Sequence, residues 1–117
     1  MYTCYVNFEV YLKKVIWLGD SKIVLSDFPE SIKIDFGFQL YLLQTGKSPL
    51  RSRPMQSIGK GVFELKEQDS HGWYRIVYTI EFKGKLYILH SFRKQSTKTS
   101  SKDLSLAQAR LKLILKD

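Results

Sequence analysis

The sequence contains one cysteine, Cys4, and two histidines, His71 and His90. A lone cysteine excludes an internal disulfide, and these three residues follow no zinc-ligand spacing, so a reducing compartment and no metal are expected. Acidic metal ligands are missing from the basic stretches, which argues against metal-assisted chemistry. No apolar run approaches the roughly 18 residues that a membrane span needs, and the first residues lack the basic start and apolar stretch of a secretory signal. A cytoplasmic protein with no membrane partner is the expectation. A phosphate-cradling glycine loop, a Ser-His-Asp arrangement and a paired-carboxylate motif are also absent, so no cofactor is expected.

What remains is a short, apolar, basic chain. Its 117 residues, 44% hydrophobic and 14% aromatic, predict one packed domain over 1–117, because a disordered chain of this length would hold far fewer aromatics and aliphatics. The net charge of +8 is unevenly placed: residues 1–82 carry ten Lys and Arg against nine Asp and Glu, whereas residues 83–117 carry nine against two. A second basic stretch, Lys47, Arg51, Arg53 and Lys60, has no acid between its ends. Such patches fit a polyanion, and they also fit a merely solvated face.

Alternation of Val6, Phe8, Val10 and Leu12 with Tyr5, Asn7, Glu9 and Tyr11 predicts a strand, and Lys14 to Leu18 predicts another, ended by Gly19 and Asp20. Asp20 or Ser21 then caps a short helix through about Phe28, and Pro29 separates it from a longer one beginning near Glu30. Ile32, Phe36, Leu40 and Leu43 form a buried stripe on that helix, and Gly46 ends it. Gly37 in its interior points to close packing against a neighbour. Residues 47–61 read as a basic loop.

Strands are predicted at Val62 to Glu67, Trp73 to Ile80 and Lys85 to Phe92, an antiparallel meander. Phe63 and Leu65 alternate with Glu64 and Lys66, so one sheet face should be core and the other should carry charge in an open groove. A polar, basic segment, Arg93 to Lys102, follows. Ser100 and Asp103 then resemble a helix start, with Leu104, Ala107, Leu111 and Ile114 as its apolar stripe.

The charged face collects Glu64, Lys66 and Arg75, with His90 and Lys94 at the end of the third strand. Arg75, inside Trp73-Tyr74-Arg75-Ile76-Val77-Tyr78, needs a partner in mid-strand: either a salt bridge to Glu64 or a phosphate. His90 is either a satisfied structural residue or a group titrating near neutrality beside a basic segment. His71 reads as a solvated turn residue.

From about Val15 onward the chain resembles the RelE-like ribonuclease toxins of the RelE/ParE superfamily, especially their HigB-like, phage-derived branch. The carriers are Val15 to Ser21, the Phe28-Pro29-Glu30 junction, Pro54 to Gly59, Tyr74 to Tyr78, Leu89 to Lys94 and Thr97-Lys98-Thr99. The resemblance implies an α+β RelE-like fold, an antiparallel meander with two N-terminal helices and one C-terminal helix packed on it. Residues 1–13 extend beyond the usual family start and are expected to be an N-terminal extension.

It also implies a type II toxin that cleaves messenger RNA on the ribosome without a metal and is neutralised by a cognate helix-turn-helix antitoxin. Cleavage in this family runs by attack of the 2′-hydroxyl on the adjacent phosphate. Arg75 matches the strand arginine on the scissile phosphate, Lys66 and Lys94 match commonly basic positions, and Glu64 or His90 is left for the base or acid role. Arg51, Arg53, Arg93 and Lys98 are the further candidate RNA contacts. Glu64 departs from several relatives, which are basic there, and no tyrosine follows Tyr87. Two other functions share this fold: a gyrase-poisoning toxin and a non-catalytic RNA-binding module.

Overall fold

The computed structural model describes residues 12–81, 84–94 and 99–115. Cys4, all of the first predicted strand except Leu12, and the candidate RNA contact Lys98 lie outside those residues. The elements run β1 (Lys14–Trp17), α1 (Ser21–Ser26), α2 (Glu30–Gln44), β2 (Ser52–Pro54), β3 (Val62–Asp69), β4 (Gly72–Glu81), β5 (Lys85–Lys94) and α3 (Ser101–Leu115). This is an α+β fold with two helices before the meander and one after it, consistent with a RelE-like fold.

Local chemistry accounts for the helix boundaries. Pro29 stands at the N-cap of α2, where its missing N–H is no loss, and Ile32, Phe36, Leu40 and Leu43 are all buried. At the other end Gly46, at φ 81°, donates to the Leu43 carbonyl while Lys47 donates to that of Leu42. That reciprocal pair is a Schellman stop, and the left-handed φ is why glycine stands there. Ser100 caps α3 by accepting the Asp103 N–H at 3.2 Å. Gly37 does not pack closely: an added Cβ would meet nothing within 4 Å, because the residue lies on the exposed side of α2.

The sheet order is β1-β5-β4-β3-β2. β3, β4 and β5 form the expected meander, and β1 joins its far edge in parallel with β5, Lys14 to Trp17 beside Lys85 to Ile88. The stretch read as a basic loop contributes an edge strand, β2, with Arg53 opposite Glu64 and Pro54 at its end, where a lost N–H is tolerated. Arg93 and Lys94 belong to β5 rather than to the segment after it.

Both sheet faces are covered. Leu65, Tyr74, Ile76, Tyr78, Leu86 and Ile88 pack against Phe28, Ile32, Phe36 and Leu40 of the α1–α2 side. On the opposite face Val62, Val77, Leu89 and Phe92 pack with Met55 and Ile58 against Ala107 and Leu111 of α3. The expected division into a core face and an open charged face is therefore corrected. The apolar stripe of α3 needs a surface to bury against, and the second face provides it.

One irregularity controls what reaches that second face. Val77 is paired with His90 but Tyr78 with Ile88, so Leu89 is an extra residue in β5, a β-bulge. Strict alternation would put His90 and Lys94 on the face of Ile88. The bulge reverses the phase, and His90, Phe92 and Lys94 instead share the face of Val77, Arg75 and Trp73.

Candidate active site

Arg75 and Glu64 are the centre of a buried charged cluster on the α3 face. Glu64 is fully buried, and its Oε1 accepts from the Arg75 Nε at 3.0 Å and from the Arg53 Nε at 3.2 Å. A carboxylate removed from water is unfavourable by several kcal/mol unless paired, and two guanidinium donors supply that pairing. Register explains how they meet: Arg53 lies directly across from Glu64, Lys66 lies across from Arg75, and Arg75 is the diagonal neighbour of Glu64. The salt bridge weighed from the sequence is present. The open groove is not, since Arg75 is only 6% exposed and Glu64 is 0%.

Lys94 reaches the same cluster from β5 through the bulge. Its ammonium is buried and has no hydrogen-bond partner among the described residues, and the second Glu64 oxygen, Oε2, has none among them either. Burial pushes the Lys94 ammonium below the usual lysine value; the charges of Arg75, Arg53 and Lys66 act the same way, and Glu64 opposes them. Arg75 is likewise pushed down by burial and by Arg53, with Glu64 opposing. Two guanidinium groups thus pair with one carboxylate, and the ammonium groups of Lys66 and Lys94 add further positive charge on the same face. Such an arrangement is stable only against an energetic penalty that an added anion would relieve. Arg53, its side chain 52% exposed, and the part-buried Lys66 form the accessible rim.

His90 lies on this face but is engaged elsewhere. The Arg110 Nη1 donates to its Nδ1 at 3.2 Å, and its Nε2 is 2.7 Å from the Asp103 carboxylate. A guanidinium can only donate, so Nδ1 accepts and the ring proton sits on Nε2, directed at Asp103. Both nitrogens are used in fastening α3 to the sheet, and the ring stacks on Phe92 at 5.0 Å between centroids.

The other sequence candidates are dispersed. The Arg51 guanidinium is 3.9 Å from Glu67, which hydrogen-bonds Gln39 on the α2 side. Arg93 donates to the His71 carbonyl and lies 6.0 Å from the Tyr74 ring, on the α1–α2 face. His71 itself is a 78%-exposed turn residue, as read. Sequence reasoning missed Trp73, whose ring lies 5.3 Å from the Arg75 guanidinium, and Arg110, whose polar position on α3 carries no signal of its role. Among the described residues no group of His, Cys, Asp and Glu is placed to hold a metal ion, and no helix is long and apolar enough to cross a membrane.

The family described as phage-derived protein Gp49-like (DUF891) matches residues 24–112, which span α2, the whole meander and most of α3. The chain belongs to the Gp49-like family. This is a RelE/ParE-type toxin family of toxin–antitoxin systems, so this Gp49-like chain is a toxin-family protein with a cognate antitoxin as its implied partner. No curated protein matches the chain. Every residue of the Arg53–Glu64–Lys66–Arg75–Lys94 cluster falls inside the matched segment.

Proposed function

We propose that this Gp49-like protein is a HigB-like, metal-independent endoribonuclease. It cuts messenger RNA on the ribosome and is neutralised by a helix-turn-helix antitoxin. The observation that carries this reading is the buried ammonium of Lys94, without a hydrogen-bond partner among the described residues, beside the Arg75–Glu64 pair. A site with excess positive charge and an unused cation is built to take up an anion. The phosphodiester enters over the rim formed by Arg53 and Lys66, and Arg53 transfers from Glu64 to a phosphate oxygen.

The reaction needs a base for the 2′-hydroxyl, an acid for the leaving oxygen and cations for the phosphorane. The free Oε2 of Glu64 takes the 2′-hydroxyl proton, and the 2′-oxygen attacks phosphorus. The P–O5′ bond breaks, and Lys94, whose proton is held less tightly than in an ordinary lysine, protonates the 5′-oxygen. The products are a 2′,3′-cyclic phosphate and a 5′-hydroxyl. Arg75 and Lys66 bind the doubly charged phosphorane better than the singly charged ground state, the difference that accelerates the step. We assign His90 no proton-transfer role, because both its nitrogens are engaged.

The test is cleavage of messenger RNA on translating ribosomes in a chelator-containing buffer, with end-group analysis of the fragments. Cyclic phosphate and 5′-hydroxyl ends are expected from the wild type, with Lys94→Met slowed roughly 10²- to 10³-fold. DNA damage without RNA cleavage on expression would replace this reading with a gyrase poison.

A further inference from the structure

Trp73 has no role in the reaction just described, yet it is an accessible aromatic residue beside the charged cluster, whereas Phe92 on the same face is buried. It lies directly across β5 from Lys94 and two positions before Arg75 on β4, so all three project from one sheet face. The Arg75 guanidinium sits 5.3 Å from the centre of its ring. Unlike Arg75 and Lys94, Trp73 is 39% exposed. Trp73 is the second residue of β4, beside the 70–71 turn, and a tryptophan left partly accessible there forgoes some of the apolar burial that normally places this residue.

We propose that Trp73 is a stacking platform for a base of single-stranded RNA, the nucleotide adjoining the phosphate held by Arg75. This deepens the ribonuclease reading and rests on it for the phosphate position. Single-stranded nucleic acid is held by a cationic track for its backbone and aromatic faces for its bases, and both parts are present on this face. A nucleotide whose phosphate meets Arg75 carries its base within reach of a ring packed on the same guanidinium. Stacking accepts any base, so Trp73 contributes affinity and positioning rather than a sequence code. An unstacked base on the indole also requires a single strand, which excludes duplex RNA from the site.

The chain has two tryptophans, so Trp17→Phe leaves Trp73 as the only indole fluorophore. The probe is a short 2′-O-methyl RNA, which cannot be cleaved, compared with an oligonucleotide of equal phosphate count carrying abasic sites. The intact probe is expected to quench Trp73 fluorescence and to bind roughly 5- to 150-fold more tightly than the abasic one. Trp73→Leu should abolish that preference, and Trp73→Phe should keep part of it.

Equal binding of the two probes by the wild type, or unchanged preference in Trp73→Leu, would overturn the stacking role. The wild-type comparison decides the matter even if Trp73→Leu fails to fold. Lys94→Met separates the two readings: it should weaken both probes by the same factor. No weakening there removes the phosphate site while leaving the base preference to be judged on its own. Failure of the wild type to bind either probe overturns both.

Discussion

The Nη1 of Arg110 donates a 3.0 Å hydrogen bond to the carbonyl oxygen of Leu89, the extra residue of the β5 bulge. A bulge leaves a backbone group outside the ladder, and a buried carbonyl without a partner is unfavourable. Arg110 satisfies it from α3, while its Nη2 bonds Asp20 at 2.9 Å at the start of α1. The same side chain covers Gly19, at φ 55°, where any Cβ would collide with the guanidinium. One arginine therefore ties α3, the bulge and α1 together. Arg110→Met should lower stability by about 1–3 kcal/mol, since it strands the Leu89 carbonyl. Urea unfolding checks this, and an unchanged midpoint would count against the clamp.

The Asp20 end of that clamp is pH-dependent. The hydrogen bond from Arg110, reinforced by its charge, holds the Asp20 carboxyl below its usual value against the opposing effect of burial. A depressed acid pKa stabilises the fold above the unfolded pKa, about 3.9, and that contribution disappears as pH falls through the folded value. Asp20→Asn should thus be less stable than wild type at neutral pH, with the gap closing below about pH 4. The side chain is 57% exposed, so the gap should be small and should also shrink in high salt. A gap that widened on acidification would contradict the ion pair.

Arg75 serves the fold as well as the proposed site, since its Nε is held at 3.0 Å by the buried Glu64 carboxylate. Arg75→Ala leaves Glu64 buried with only Arg53, and breaking a buried pair costs about 3–5 kcal/mol. Glu64→Ala on top of it should recover much of that stability, because the stranded charge is gone. Cleavage should not return in the double variant. Thermal melts alongside RNA cleavage separate the two effects, and recovery of both would reduce Arg75 to a structural residue.

Lys94→Met should raise stability while lowering activity. Removing a buried, unpaired ammonium recovers about 1–3 kcal/mol. Because burial pushes the folded-state value down, the native protein loses the Lys94 proton first as pH rises. Wild-type stability should therefore increase between the folded value and the unfolded one near 10.4, and this slope should be absent in the variant. A destabilised Lys94→Met protein would show that the ammonium has a partner after all.

Gly37→Ala should stabilise the protein by about 0.5–1 kcal/mol, since alanine is the better helix former and the site is open. Differential scanning calorimetry would detect it, and a lower melting temperature would reveal a contact at that position.

The sequence by itself determined the helices, β1 and the three meander strands in their order, but not the short edge strand β2. Periodicity located the stripe of α2 and that of α3, Pro29 and Gly46 marked the ends of α2, Ser100 marked the start of α3, and alternation located β3 and β4. It also brought Arg75 and Glu64 together as partners, because residues on neighbouring strands of a hairpin share a face by parity alone. Tertiary structure decided the rest. Alternation read through β5 cannot register an extra residue, since a bulge reverses the phase without any change in composition; the sequence offered Lys94 as a candidate at the end of the strand, but the geometry that turns it to the face of Arg75 is set by the extra residue Leu89. Whether the charged face stayed open depended on where α3 docked, and no local pattern carries that information. The roles of His90 and Arg110 came from the same docking: a side chain's partners are set by what packs against it from distant parts of the chain, not by its neighbours in sequence.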